Sequence, residues 1–83
     1  MTEKQIRGMC EACLCAIVGE ELRRLEEGQK PLTKLQMTII YQRYQDKVVL
    51  SYPSDKWEEV SALFDRVFDE VENFHKDDAL AYS

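Results

Sequence analysis

Leu35-Gln36-Met37-Thr38-Ile39-Ile40-Tyr41-Gln42-Arg43-Tyr44, running on through Gln45-Asp46-Lys47 into Val48-Val49-Leu50-Ser51-Tyr52, is the stretch on which the fold turns. Alternate positions place Leu35, Met37, Ile39 and Tyr41 on one side and Gln36, Thr38, Gln42 and Tyr44 on the other, with Ile40 the exception. A period of two with β-branched and aromatic content predicts a strand, whereas a helical wheel scatters the same apolar residues. Tyr44-Gln45-Asp46-Lys47 then reads as a turn, and Val48–Tyr52 as a second strand ended by Pro53. The turn has no Asn-Gly or Asp-Gly, so its register is loosely set. The alternative is a helix from Thr33 to Tyr44, which would make the chain an all-α three-helix arrangement.

On either side of this segment the pattern is helical. Thr2-Glu3-Lys4-Gln5 fits a capping box, no proline interrupts the chain up to Glu27, and Gly28 suits a left-handed cap before Pro31. Ile6, Met9, Cys10, Cys13, Leu14, Ile17, Val18, Leu22 and Leu25 cover more than half the circumference of that helix, a wider stripe than one packed face requires. After Pro53, Ser54 or Asp55 is the expected N-cap of a last helix. There Trp57, Val60, Leu63, Phe64, Val67, Phe68, Val71 and Phe74 form one stripe, opposite Glu58, Glu59, Asp65, Asp69, Glu70 and Glu72.

The expected fold is therefore α+β: two helices packed on an antiparallel β-hairpin, in the order α-β-β-α. One domain spans residues 1–75, and 76–83 form a polar tail that frays. A two-stranded ribbon is marginal alone, and its unpaired edges invite another strand. Those edges and the surplus apolar stripe of the first helix both point to a homodimer.

With 83 residues the chain has room for a single core, hiding only about 60–65% of its unfolded surface. No run reaches the roughly 18 apolar residues of a membrane span, and no secretory leader is legible, so a cytoplasmic setting without membrane contact is expected. The formal net charge of −5 argues against a phosphate-backbone binder. The acids crowd into residues 55–78, while residues 31–54 carry only Asp46 against Lys34, Arg43 and Lys47.

Chemistry-bearing residues are few. Cys10, Cys13 and Cys15 are the only thiols. On a helix Cys10 and Cys13 share a face while Cys15 points about 140–160° away, and zinc wants four ligands where the rest of the chain adds only His75. A redox pair normally sits at a helix N-terminus, and this one lies two turns in, so small buried apolar side chains are the leading reading of Cys10 and Cys13. His75 suits a helix C-terminus and has no oriented nucleophile for a partner. Phosphate loops and dinucleotide fingerprints are absent from the sequence. Neither an enzyme nor a cofactor is expected.

What remains is recognition. Glu58, Asp65, Asp69 and Glu72 form an acidic ribbon that could steer toward a basic partner, and Tyr41 and Tyr44 could anchor contacts on the hairpin. The leading expectation is a small acidic interaction module that occupies a partner's surface as inhibitor or adaptor. Its partner could be a basic nucleic-acid-binding protein, and size and acidity suggest a phage or mobile-element source. Direct nucleic-acid binding through Tyr41, Tyr44, Tyr52, Arg43 and Lys47 is the runner-up. A thiol or metal site at Cys10 and Cys13 comes third.

Overall fold

A computed structural model of the chain describes the backbone of residues 2–81 and the side chains of residues 2–75. The decisive segment is a helix. The order is α1 (Glu3–Glu26), α2 (Lys34–Val49), a 3₁₀ turn (Ser54–Lys56) and α3 (Trp57–Ala81), and the described residues include no strand. The α+β hairpin is therefore overturned, and the three-helix alternative is the fold.

Local chemistry explains the change. Thr33 caps α2 through a capping box: Gln36 N–H donates to the Thr33 hydroxyl (3.1 Å), and Thr33 N–H donates to the Gln36 side-chain oxygen (2.9 Å). The same reciprocal pair, Thr2 with Gln5, opens α1. Along α2, Met37, Tyr41, Tyr44, Gln45 and Val48 recur at helical spacing and turn inward, with Gln45 and Val48 buried. The helix leaves apolar residues stranded: Leu35 and Ile39 face outward on α2, and so does Leu50 at its C-cap. It gains an internal partner for its backbone groups, which a lone ribbon would leave open along both edges.

The connections are short, so neighbouring helices run antiparallel. α1 ends in a Schellman motif: Gly28 has φ +71°, its N–H donates to Leu25 O (3.2 Å), and Gln29 N–H reaches back to Arg24 O (2.8 Å). Between α2 and α3 the Trp57 indole N–H donates to Tyr52 O (2.9 Å), closing the corner. The 3₁₀ turn is capped by Pro53 with no side-chain cap bond, and Ser54 and Asp55, the expected N-cap positions, lie inside that turn.

All three helices touch one another. Their shared core is Ile6 and Cys10 of α1, Val48 of α2, and Val60, Phe64, Val67 and Val71 of α3. Tyr41 lies edge-on to Phe64 and Phe68, with ring centroids 5.3 and 4.7 Å away. An exposed Glu3–Arg66 pair (3.3 Å) joins α1 to α3 at the surface, where such pairs contribute little. The backbone of α3 continues to Ala81, while the side chains of 76–81 and residues 82 and 83, where a frayed tail was expected, lie outside the described residues. Among the described residues no helix is long and apolar enough to cross a membrane.

Candidate functional site

The core-facing side of α1 changes character halfway along. Ile6, Cys10 and Cys13 are buried, but two to three turns beyond Cys13 the half-buried Glu20, Glu21 and Arg24 occupy that side. The apolar residues shift to a flank: Leu14, Val18, Leu22 and Leu25 follow at i, i+4, i+8 and i+11. Val18, Leu22 and Leu25 are 47%, 56% and 75% exposed. Sequence reading saw the surplus, and the structure shows where it lies.

Beside this row runs an open groove of about 710 Å³ between the C-terminal halves of α1 and α3. Leu14, Ile17, Val18 and Leu22 of α1 and Met37 of α2 form its apolar lining, with Glu21 on α1 and Glu72 and His75 on α3. A smaller groove of about 310 Å³ adjoins it, sharing Val18, Glu21 and Leu22 and adding Leu25, Gln29 and Pro31. Among the described residues neither lining includes a lysine or arginine.

The residues singled out for binding are split by the structure. Glu58 and Asp69 are exposed on the outer side of α3. Glu72 is half-buried at the groove. Asp65 is engaged in the α2–α3 seam, where it accepts hydrogen bonds from the Tyr41 hydroxyl and from Gln45 Nε2 (2.9 Å). Gln45 Nε2 also donates to Ser61 O (3.1 Å), and its Oε1 accepts from Gln42 (3.2 Å). Among the described residues no buried side-chain nitrogen or oxygen lacks a partner. Burial, reinforced by the Asp65 carboxylate, raises the Tyr41 hydroxyl's pKa, so it stays protonated as the donor.

This seam carries a stability prediction. Asp65→Ala removes the acceptor for two donors and should cost about 1–3 kcal/mol, while Asp65→Asn keeps an acceptor and should cost less. Urea midpoints of the two variants check it; equal, negligible losses would show that the seam contributes nothing.

Tyr41 and Tyr44 do not stand together as exposed anchors. Tyr41 packs on the core cluster; Tyr44, half-buried, has the Lys47 ammonium 5.5 Å from its ring centroid. The hairpin that would have displayed these rings beside Arg43 does not exist.

Cys10 and Cys13 are buried and Cys15 is exposed, all three as free thiols. Cys10 Sγ donates to Phe64 O at 3.7 Å. Burial pushes the Cys10 thiol from 9.0 up to about 12, with Cys13 adding to the rise, and pushes Cys13 to about 11. Both are poor nucleophiles at neutral pH. Among the described residues no three His, Cys, Asp or Glu side chains gather where they could hold a metal ion.

Folding raises these two pKa values, so above about pH 9 the folded chain holds protons that the unfolded chain releases. Their contribution is complete below pH 9 and drains away as pH climbs through about 11 and 12. Urea midpoints should fall between about pH 8 and 10.5, and less steeply in Cys13→Ala. A disulfide reagent at neutral pH should titrate Cys15 at once and reach Cys10 and Cys13 only on unfolding. Immediate reaction of all three would refute the buried placement.

Compared with family models, curated proteins and solved structures, the chain matches none of them, so its function is argued from its own residues.

Proposed function

We propose that this chain is a small acidic protein-interaction module that acts by occupying a partner's surface, as an inhibitor or adaptor. The observation that carries the reading is the row Val18, Leu22 and Leu25, left exposed on a helix whose N-terminal half buries Ile6, Cys10 and Cys13. Single exposed apolar residues are ordinary; three in register beside a groove are the signature of a contact face. Covering Leu22 and Leu25 would each contribute up to about 1.5–3 kcal/mol. The carboxylates Glu58 and Asp69 supply long-range steering, and Asp65, exposed although hydrogen-bonded to neutral groups in the α2–α3 seam, adds its charge to theirs. Three free thiols suit a reducing, cytosolic setting.

The test is quantitative association with a partner identified by mass spectrometry from the native host. Leu22→Asn with Leu25→Asn, at exposed positions, should speed dissociation by at least about tenfold. Glu58→Lys with Asp69→Lys should slow association and flatten its salt dependence. A partner indifferent to the asparagine pair would refute the reading.

The same row favours a second reading, a homodimer through α1. The hairpin edges that also argued for self-association are gone, so the case now rests on this face alone. Sedimentation at tens of micromolar decides it: a monomer ends the dimer reading.

A further inference from the structure

A separate groove of about 480 Å³ lies between α1 and α2, and among the described residues it shares no lining residue with the grooves beside Val18. Ala16 of α1, Leu32 of the connecting loop, and Ile39, Ile40 and Tyr44 of α2 make its apolar lining. Its charges do not balance. Glu20 accepts from Arg23 and from Arg24 (3.3 Å), and Arg23 also pairs with Glu27 (2.9 Å), so these four side chains offset one another. Arg43 lines the same groove, is exposed, and has no hydrogen bond or ion pair among the described residues. One turn on, the Lys47 ammonium stands 5.5 Å from the Tyr44 ring centroid, while Asp46 accepts from Gln42 Nε2 (2.9 Å). Leu35 and Ile39, both exposed, precede Arg43 by eight and four residues, so this side of α2 runs apolar, apolar, cationic.

The trough from Gln36 to Tyr44 covers about two helical turns, roughly 12 Å at 1.5 Å per residue. Cations at one end of such a trough match one or two carboxylates beside an apolar stripe. A nucleic acid would set a phosphate at every step against Glu20 and a net charge of −5. A second copy fits no better. From Glu58 to Asn73, where α3 displays its carboxylates, the one exposed apolar side chain is Ala62, which leaves little to fill the trough. We infer that the groove between α1 and α2 docks an amphipathic helix of a partner protein, its apolar stripe on Ile39, Ile40 and Tyr44 and a glutamate or aspartate on Arg43. A guanidinium fork is shaped for a carboxylate. The site is independent of the Val18 row and gives the chain a second contact face.

The test uses the full chain and fluorescent peptides of about 14 residues, four helical turns, in one amphipathic pattern: leucine with glutamate, leucine with glutamine, and alanine with glutamate. The leucine–glutamate peptide should bind at least about threefold more tightly than the leucine–glutamine peptide, the scale of an exposed ion pair. It should bind at least about tenfold more tightly than the alanine–glutamate peptide. Arg43→Gln should erase the preference for glutamate, and Arg43→Glu should transfer it to a leucine–lysine peptide. Ile39→Asn should weaken binding by about fivefold or more, and Leu22→Asn should leave it unchanged, with circular dichroism showing every variant folded. Equal binding of the glutamate and glutamine peptides, or loss through Leu22→Asn in place of Ile39→Asn, overturns the inference. So does tighter binding of an oligothymidylate through Arg43, which would make phosphate the recognised anion. Failure of every peptide to bind overturns it as well, and sedimentation then shows whether a second copy fills the groove.

Discussion

Phe64→Ala is expected to lower the melting temperature by upward of about 12 °C, or to remove the cooperative transition altogether. Phe64 has no exposed surface and sits where the three helices meet. Its ring meets Tyr41 edge-on and runs nearly parallel to Phe68, with centroids 6.4 Å apart, while its carbonyl takes the Cys10 thiol. Emptying such a site costs about 3–5 kcal/mol, because the lost transfer energy is joined by a cavity that the neighbours only partly fill. A domain of this length has roughly 4–12 kcal/mol in total. A shift of 1 kcal/mol moves the midpoint of a small domain by about 4–8 °C. Thermal melts followed at 222 nm check the result. A cooperative melt within a few degrees of the parent would mean that Phe64 is not the centre of the core.

Ile39→Pro is the second large effect, and it tests the helical state of the decisive segment directly. Ile39 is 46% exposed on the outer side of α2, so little packing is at stake. Proline there deletes one turn-closing hydrogen bond and collides with the carbonyl four residues earlier, at a cost of about 3 kcal/mol or more. Ile39→Ala removes the same side chain without touching the backbone and should stay within about 0.5 kcal/mol of the parent. The contrast between the two urea midpoints isolates the backbone. Equal midpoints would be incompatible with a helix through position 39.

The misreading of this segment has a traceable cause. Alternation of Leu35, Met37, Ile39 and Tyr41 outweighed Thr33-Lys34-Leu35-Gln36, although the same Thr-x-x-Gln pattern had marked the start of α1. Gln45 misled as well. A polar residue between apolar runs looks like a turn, yet it is buried because its partners, Ser61 and Asp65, come from α3. Nothing local in the sequence announces a contact made across that distance. α1 and α3 were legible because their apolar spacing is unbroken over many turns, and the burial of Val60, Phe64, Val67 and Val71 follows it.

The structure places the candidate binding residues in different surroundings. The excess width of the α1 stripe reappears as the exposed Val18, Leu22 and Leu25. The acidic ribbon looked continuous on a wheel, but proximity to α2 draws Asp65 into hydrogen bonds and leaves Glu58 and Asp69 in the open. A wheel shows which side a residue is on; it does not show which neighbouring helix will reach it.

The tight links around Gly28 and Pro53 have a temporal consequence. Antiparallel helices joined by so few residues find each other through contacts near in sequence, and such chains fold within microseconds to milliseconds. Translation proceeds at roughly 5–20 residues per second. Synthesis, not the conformational search, therefore sets the moment at which the three-helix fold is complete.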